Sequence, residues 1–315
     1  MWRKKPQNFW KDYQRKMNNY HETVMVSEVL EALNVLLKSQ ARYIDATLGT
    51  GGDAEAILER GAEVLGIDLD PQMLKIAEER LKKFGKKVKF AKGNFRNIDI
   101  LAKKNGFDKV DGIIFDLGTS NLQLTSAERG FSFANPEAPL DMRFEPEEQG
   151  VKGSDLLNGL REDQLRVLFG RVLGWHDSQR LARRVATERL VKPFQTVDDF
   201  LKIARVGGKE RLNPATLPFL ALRIAVNSEL ENLEEGLLKA YVLLKKGGKL
   251  AVITFHSGED AIVKHFGKRV GGLETKKPIK PSPEEIAQNP KARSAKLRII
   301  EKWQTGKEKS QDLET

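Results

Sequence analysis

A glycine-rich turn between a predicted strand and a predicted helix is the first feature suited to binding a ligand. The strand, residues 43–48, runs into Gly49-Thr50-Gly51-Gly52, and the helix covers 54–60. Glycines at such a turn let backbone amides approach a ligand closely. Asp68 ends the next predicted strand, nineteen residues after Gly49, where a carboxylate can accept hydrogen bonds from both hydroxyls of a ribose. The spacing favours an adenosine-type ligand over a purely structural turn, with contacts from Gly49, Gly51, Gly52 and Asp68.

Two further positions at the ends of predicted strands favour S-adenosylmethionine over a nicotinamide. Gly93-Asn94-Phe95 follows the third strand, where an amide and an aromatic ring could hold an adenine. Asp116 ends the fourth strand, just before Gly118, and its carboxylate could bind the amino group of the cofactor. The alternative for Asp116 is an acid that caps a helix or a turn. No Gly-Lys-Ser/Thr follows the glycine turn, which excludes a phosphate-binding P-loop.

The order of the predicted elements implies an α/β fold. A helix over 26–37 precedes strands at 43–48, 64–68, 87–91 and 112–117, which alternate with helices. This alternation is typical of a doubly wound parallel sheet. Residues 119–150 are loop-like, 154–206 form short helices, and 214–246 form a long helical stretch before strands at 249–255 and 295–303. We therefore interpret the helical block as an insertion into the α/β domain.

The composition excludes several classes of protein. The 315 residues are 40% hydrophobic and 31% charged, as expected for a globular protein. The absence of cysteine excludes a disulfide scaffold, a zinc ribbon, a thiolate nucleophile and an iron–sulfur site, and no metal site is predicted. No apolar run reaches the ~20 residues of a membrane span, and the basic N-terminus lacks the apolar segment of a secretory signal. A cytoplasmic location is the expectation.

The positive charge is concentrated at the two ends of the chain. The formal net charge is +10, yet residues 1–21 carry a net charge of +5 and residues 264–315 a net charge of +6. Basic ends around a nearly neutral middle favour a polyanionic partner, most simply nucleic acid; a pair of solvated tails is the alternative. Aromatic residues among the N-terminal cations favour stacking on bases: Trp2, Phe9, Trp10 and Tyr13.

Several motifs in one order resemble the bacterial 16S rRNA (cytosine-N4)-methyltransferase family, RsmH/MraW. The likeness covers about residues 21–303. The motifs are Asp116–Leu124, Glu128–Phe133, Pro139–Arg143, Ala221–Leu230, Phe255–Asp260 and Asn289–Arg298. The resemblance implies methyl transfer from S-adenosylmethionine to the exocyclic N4 of a decoding-site cytosine in the 16S rRNA of the small ribosomal subunit. It leaves the oligomeric state open.

The same resemblance implies a division into domains and a set of cofactor contacts. A class I methyltransferase domain with a Rossmann-like sheet, residues 22–143 and 213–303, would hold an inserted helical substrate-recognition domain at 144–212. A basic extension, 1–21, and a polar tail, 304–315, would flank them. The implied cofactor contacts are Gly51, Gly52, Asp53, Asp68, Phe95, Asp116 and Gln123.

Candidates for gripping the target base follow Asp116 along the chain. The polar candidates are Ser120, Asn121, Gln123 and Asp141. Together with Asp116, Asn121 and Asp141 are the predicted catalytic residues, and Asp141 could accept the proton. The alternative for Asp141 is an ion pair with Arg143 or Arg129, which are themselves predicted to contact substrate.

Other candidate substrate contacts each have a structural alternative. Phe131 and Phe133 either stack on the base or fill a small core. Arg223 and Asn227, four residues apart on a predicted helix, either reach rRNA phosphate or lock that helix against the inserted domain. His256 follows the strand 249–255 and either contacts substrate or serves as a turn residue.

Departures from the family pattern keep other functions open. The family usually has histidine where this chain has Asp53, and the pattern also changes at Leu217, Leu220, Gly258 and Ala261. One alternative is therefore a catalytically weakened, cofactor-binding and RNA-binding ribosome assembly factor. Another is a cytosine-N4 methyltransferase that acts on a different nucleic acid. The presence of Asp68, Asp116 and Gly118 favours an active enzyme.

Overall fold

A computed structural model describes residues 23–35, 41–205 and 213–303, without the side chains of Asn121 and Thr125. The basic extension with its four aromatic residues and the polar tail lie outside the described residues. Within the described part, no helix has the length and apolar character needed to cross a membrane.

The strands form one sheet, whose order confirms the predicted doubly wound α/β fold. The strands are β1 Arg42–Asp45, β2 Glu63–Asp68, β3 Val88–Lys92, β4 Val110–Asp116, β5 Leu244–Thr254 and β6 Lys296–Glu301. Their order in the sheet is β3-β2-β1-β4-β5-β6. The first five run parallel, and β6 pairs antiparallel with β5. The strand order reverses between β1 and β4, and ligands of such sheets bind at the carboxyl ends of the strands at this point.

The helices follow the chain in two groups, before β4 and after it. They are α1 Val26–Ala32, α2 Gly52–Leu58, α3 Pro71–Leu81, α4 Ile98–Lys104, α5 Asn121–Thr125, α6 Gly153–Gly159, α7 Glu162–Gly170, α8 Trp175–Val191, α9 Val197–Leu201, α10 Thr216–Asn227, α11 Glu229–Leu243, α12 Ser257–Arg269 and α13 Pro283–Gln288. Short 3-10 segments lie at Lys82–Lys87, Phe95–Asn97 and Pro290–Ser294.

Local sequence explains where α3 begins and which face it buries. The Asp70 side chain accepts a hydrogen bond from the Gln72 amide at 3.0 Å, which caps the helix. Pro71 stands at the first helical position, where its missing N–H costs no hydrogen bond. The helix buries one apolar stripe: Met73, Leu74, Ala77 and Leu81. A capped helix thus begins three residues after Asp68.

The chain forms two compact units, each with its own core. In the described part, the sheet unit comprises residues 23–118, 237–256 and 263–303, and the helical unit comprises 119–236 and 257–262. The core of the helical unit includes Phe131, Leu140 and Leu222, which lie outside the segment 144–212. The bounds of a substrate-recognition domain at 144–212 stay a prediction.

Two predicted regions differ from the observed elements. The long helical stretch 214–246 is two helices, α10 and α11, because Ser228 has a left-handed backbone with φ 48°, a conformation that ends a right-handed helix. The loop-like stretch 119–150 contains the short helix α5, which Ser120 caps. In both places a single polar residue, rather than the apolar periodicity, sets the boundary.

Candidate functional site

Three neighbouring strands of the sheet unit each end on an aspartate. Asp45 ends β1, Asp68 ends β2 and Asp116 ends β4. Because β2, β1 and β4 are adjacent and parallel, these carboxyl groups gather at one edge of the sheet. This edge lies at the reversal of strand order, where α/β proteins bind their ligands.

The predicted glycine turn lies at this edge and is held by Asp68. Gly49 and Gly51 have left-handed backbones, with φ 51° and 83°, which glycine adopts without strain. The Asp68 carboxylate accepts hydrogen bonds from the Gly49 amide at 2.7 Å and from the Asp70 amide at 2.8 Å. Its two oxygens have further lone pairs, so it can order the turn and still accept hydrogen bonds from a ligand.

Position 52 has no room for a side chain, because another residue of the chain lies against it. A Cβ atom there would stand 1.8 Å from Thr23 Oγ1, closer than any van der Waals contact allows. The position of Thr23 therefore requires a glycine at position 52, whether or not a ligand approaches the turn. Contact between the Gly52 backbone and a cofactor stays a prediction.

Thr47 joins the ends of β1 and β4, a role that the sequence analysis missed. Its hydroxyl accepts a hydrogen bond from the Asp116 amide at 2.7 Å. Its own amide donates to Asp45 Oδ1 at 3.2 Å. Asp45 was also missed, because the predicted strand 43–48 placed it inside the strand, whereas the observed β1 ends on it.

Asp53 on α2 adds a fourth carboxyl group to these three. Its side chain is only 4% exposed, and among the described residues its Oδ1 has no hydrogen-bond partner. Burial raises the pKa of Asp53 well above its ordinary value, and the charges of Asp116 and Asp45 raise it further, while Arg80 opposes them. We call Asp45, Asp53, Asp68 and Asp116 the carboxylate cluster.

Two other members of the cluster, Asp45 and Asp68, also have raised pKa values. Burial raises the pKa of Asp45 to about 7, with a further contribution from the charge of Asp68 and an opposing hydrogen bond from the Thr47 amide. Burial raises the pKa of Asp68 to about 6, against the hydrogen bonds from the Asp70 and Gly49 amides. Buried carboxylates that repel one another favour either protons or a cationic ligand.

Three more predicted residues lie around the carboxyl end of the sheet. Phe95 begins the 3-10 segment after β3, and its ring meets the Phe115 ring edge to face at 5.5 Å. Gly118 has φ 106°, a conformation that favours glycine. His256 lies two residues after the end of β5 and is half-buried. These placements agree with the strand ends on which the predictions rest, and they leave the individual roles untested.

In the helical unit, Ser120 and Gln123 cap α5. The Ser120 hydroxyl accepts from the Gln123 amide at 3.2 Å, and Gln123 Oε1 accepts from the Ser120 amide at 3.0 Å. This reciprocal capping box occupies the side-chain oxygen of Gln123. Asn121 is the first residue of α5. A cofactor contact by Gln123 stays a prediction.

Asp141 forms an ion pair with Arg143, the structural alternative to its predicted role as proton acceptor. Arg143 Nε and Nη2 each lie 2.7 Å from an oxygen of Asp141. Burial pushes the pKa of Asp141 up, but the hydrogen bonds and charge of Arg143 outweigh burial and leave it below its ordinary value. Arg143 also donates to the Pro146 and Gln149 carbonyls. Both side chains thus hold their own loop.

Arg129 and the two phenylalanines also make internal contacts, the structural alternative for Phe131 and Phe133. Arg129 is 9% exposed and donates to the backbone carbonyls of Arg143 and Phe144 at 2.8 and 2.7 Å. Phe131 stacks on Phe144 with ring centroids 5.5 Å apart. Phe133 packs edge to face on Phe219, also at 5.5 Å. Phe131 belongs to the core of the helical unit and the partly buried Phe133 packs against it; stacking of either ring on a base stays a prediction.

Arg223 and Asn227 hold α10 to neighbouring segments, the structural alternative to their predicted contact with rRNA phosphate. Arg223 makes a two-point ion pair with Glu229, at 2.8 and 2.9 Å. The Asn227 amide donates to the Met142 carbonyl at 2.8 Å, and its oxygen accepts from the Phe144 amide at 2.9 Å. Asn227 is 6% exposed. Asn227 therefore orders the loop after Pro139, whereas Arg223 connects α10 to the first residue of α11.

Comparison with known families assigns the chain. The model of the MraW methylase family matches residues 18–303. This chain belongs to the MraW methylase family. The prediction of the RsmH/MraW family is thereby confirmed, and with a methylase of this family S-adenosylmethionine is confirmed as the cofactor.

Curated relatives of this methylase agree over nearly their whole length. Three are named ribosomal RNA small subunit methyltransferase H. The protein from Dehalococcoides mccartyi is 41% identical, over 90% of this chain and 86% of its own. That from Thermotoga neapolitana is 41% identical, over 93% and 99%. That from Coprothermobacter proteolyticus is 42% identical, over 93% and 100%.

Solved structures resemble this methylase more loosely. An rRNA methylase from Streptococcus thermophilus aligns over 96% of this chain and all of its own, with 14% identity and a TM-score of 0.38. An O-methyltransferase from Thermotoga maritima aligns over 94% and 72%, with 13% identity and a TM-score of 0.42. The assignment therefore rests on the family model and the curated relatives.

The carboxylate cluster makes the stability of the ligand-free protein depend on pH. A raised pKa means that the folded protein binds the proton more tightly than the unfolded chain does, so stability is lost as the pH rises through that value. The loss begins near the ordinary carboxyl pKa of about 4 and is complete above about pH 6 for Asp68 and above about pH 7 for Asp45. We expect the free energy of unfolding, from denaturant titration, to fall by at least about 1 kcal/mol between pH 5.5 and 8.

Asp45→Asn keeps an acceptor for the Thr47 amide but removes the charge, and it should flatten this dependence. Asp108→Asn at an exposed position makes the same charge change and should preserve it. Stability that rises from pH 5.5 to 8 in the wild type would contradict the electrostatic reading of the cluster.

Asp141→Asn tests the ion pair against a catalytic role. The change leaves the half-buried Arg143 without its anionic partner, so the free energy of unfolding should fall by about 1–3 kcal/mol. Asp163→Asn, which breaks the exposed pair with Arg161, should leave stability unchanged. A proton acceptor would give the opposite result: abolished methylation with stability intact.

Proposed function

We propose that this chain transfers the methyl group of S-adenosylmethionine to the exocyclic N4 of a decoding-site cytosine in 16S rRNA. The small ribosomal subunit is the substrate, and the reaction takes place in the cytoplasm, where subunits are assembled. The observation that carries the proposal is the carboxylate cluster at the ends of β2, β1 and β4, beside the glycine turn. Membership of the family and the names of its curated relatives support rRNA of the small ribosomal subunit as the substrate.

The residues at this edge fit a cofactor that carries positive charge. The buried Asp53 Oδ1, which has no hydrogen-bond partner among the described residues, needs a donor or a cation. We assign the amino group of the cofactor to Asp53 and Asp116, the ribose hydroxyls to Asp68, and the adenine to Asn94 and Phe95. The turn at Gly49 and Gly51 offers its backbone amides. When bound, S-adenosylmethionine supplies a sulfonium-activated methyl group.

The task of the protein is to make a weak nucleophile react. The exocyclic amine of cytosine delocalises its lone pair into the ring, so the enzyme must hold the nitrogen in line with the methyl group. Orientation of this kind can supply several kcal/mol of the barrier, up to about 7–11 kcal/mol, and a stacked base must first be turned out. Contacts of Ser120, Asn121 and His256 with the base stay predictions from the sequence.

Asp116 is the residue on which this assignment depends most. The Thr47 hydroxyl fixes its backbone amide at 2.7 Å, so the position of its carboxylate follows from the pairing of β1 with β4. Within this proposal, Asp116 holds the charged amino group of the cofactor and so sets where the methyl group stands.

Methylation of small subunits from cells that lack N4-cytosine methylation tests the proposal. We expect isotope from labelled S-adenosylmethionine in N4-methylcytidine at one decoding-site position, identified by mass spectrometry of digested rRNA. Asp116→Ala should lower the rate about 100-fold or more, because misplacement of a bound reactant has this effect. Asp108→Ala at an exposed position is the matched control and should retain the wild-type rate.

Two outcomes would replace the proposal. No label with the cofactor still bound would favour an RNA-binding assembly factor that lacks turnover. Label in a different nucleoside or a different nucleic acid would retain the methyltransferase and overturn the cytosine-N4 assignment.

A further inference from the structure

A buried arginine lies behind the glycine turn and touches it. Arg80, near the end of α3, has a side chain only 4% exposed. Its Nε donates to Glu55 Oε2 of α2 at 2.8 Å, and its Nη1 donates to the backbone carbonyl of Thr50 at 3.3 Å. One guanidinium therefore connects α3, α2 and the turn between Gly49 and Gly51.

The partner of Arg80 stays charged, because it has a second cation. Lys83 Nζ lies 2.6 Å from Glu55 Oε1, from a position that is 57% exposed. Burial pushes the pKa of Glu55 up, but the hydrogen bonds from Lys83 and Arg80 outweigh burial and lower it. One carboxylate thus faces two cations, and the group has a net positive charge beside the carboxylate cluster.

The charges around Asp53 come from three other elements. Asp45 at the end of β1 and Asp116 at the end of β4 disfavour its ionised form, whereas Arg80 of α3 favours it. Asp53 also shares α2 with Glu55, the partner of Arg80. Removing a buried cation from such a set leaves uncompensated negative charge, which is costly. Arg80 therefore acts on the site through both geometry and charge.

We propose that Arg80, held by Glu55, is a positioning residue of the cofactor site, which fixes the glycine turn through the Thr50 carbonyl and favours the ionised form of Asp53 when a cationic ligand binds. This inference rests on the proposed binding of S-adenosylmethionine at the carboxylate cluster. Arg80 acts through the turn and through Asp53, with no contact to the cofactor required.

Calorimetric titration with S-adenosylmethionine from pH 5.5 to 8.5 tests the inference. Arg80→Met should weaken binding at pH 7 about tenfold or more. It should also raise, by half a pH unit or more, the pH below which affinity is lost, because Asp53 then holds its proton more tightly. Lys83→Met removes the other cation of Glu55 without touching the turn, and its affinity should stay within twofold of the wild type.

Further variants separate this role from a merely structural one. Arg80→Lys retains the charge but not the reach to Thr50, so it should restore the pH profile more fully than the affinity. In an Asp53→Asn background, Arg80→Met should no longer move the pH profile. Circular dichroism and thermal unfolding of each ligand-free variant establish that it folds; if Arg80→Met does not, the comparison of Arg80→Lys with the wild type decides.

The failure of this inference differs from the failure of the proposed function. Wild-type affinity and pH profile in Arg80→Met, or a shift of the profile that persists in the Asp53→Asn background, would overturn the role of Arg80 alone. A wild-type protein that binds no S-adenosylmethionine would overturn the proposed site and this inference with it.

Discussion

Buried negative charge at the carboxyl ends of β2, β1 and β4 is the constraint that shapes the sheet unit. Carboxylates removed from water are costly unless they receive hydrogen bonds or opposite charge. Backbone amides of Thr47, Gly49 and Asp70 supply part of that compensation. The cost that these hydrogen bonds leave uncompensated, mainly that of burial, raises the pKa values of Asp45, Asp53 and Asp68. A cationic ligand would relieve it.

The same contacts that satisfy the carboxylates also build the geometry of the site. Asp68 holds the amide of Gly49, so the second strand determines where the glycine turn stands. Thr47 holds the amide of Asp116, so the first strand determines where the fourth one ends. The helical unit uses the same device in its loops, where Asn227 binds both the carbonyl of Met142 and the amide of Phe144. In each unit, polar side chains fix backbone that no regular element would fix.

The features predictable from sequence were those with a local signal. The glycine turn, Asp68 and Asp116 are recognisable because a strand, a turn and a helix follow one another within a few residues. Arg223, Asn227 and Phe131 could not be assigned in this way, since a motif shows that a residue matters and not what it touches. Asn227 meets Met142, 85 residues away in the chain. Such a partner becomes visible only in the folded structure.

Arg80 and Thr47, which act on the site through other residues, could not be identified from the sequence. Arg80 stands on an ordinary amphipathic helix, and Thr47 reads as part of a strand; their contacts to Thr50 and Asp116 depend on how α3 and β4 pack. Asp45 lay inside the predicted strand 43–48, and only the observed end of β1 places it beside the ends of β2 and β4. Its side chain is only 2% exposed, a property that the periodicity of the sequence did not show.

Proton release on binding S-adenosylmethionine tests the central claim most directly. Titration calorimetry at pH 6.5, in two buffers with different ionisation enthalpies, gives the number of protons exchanged. If the carboxylate cluster awaits a cation, its members give up bound protons when the cofactor arrives, and a net release must be observed. Binding with no exchange, or with proton uptake, would contradict the account.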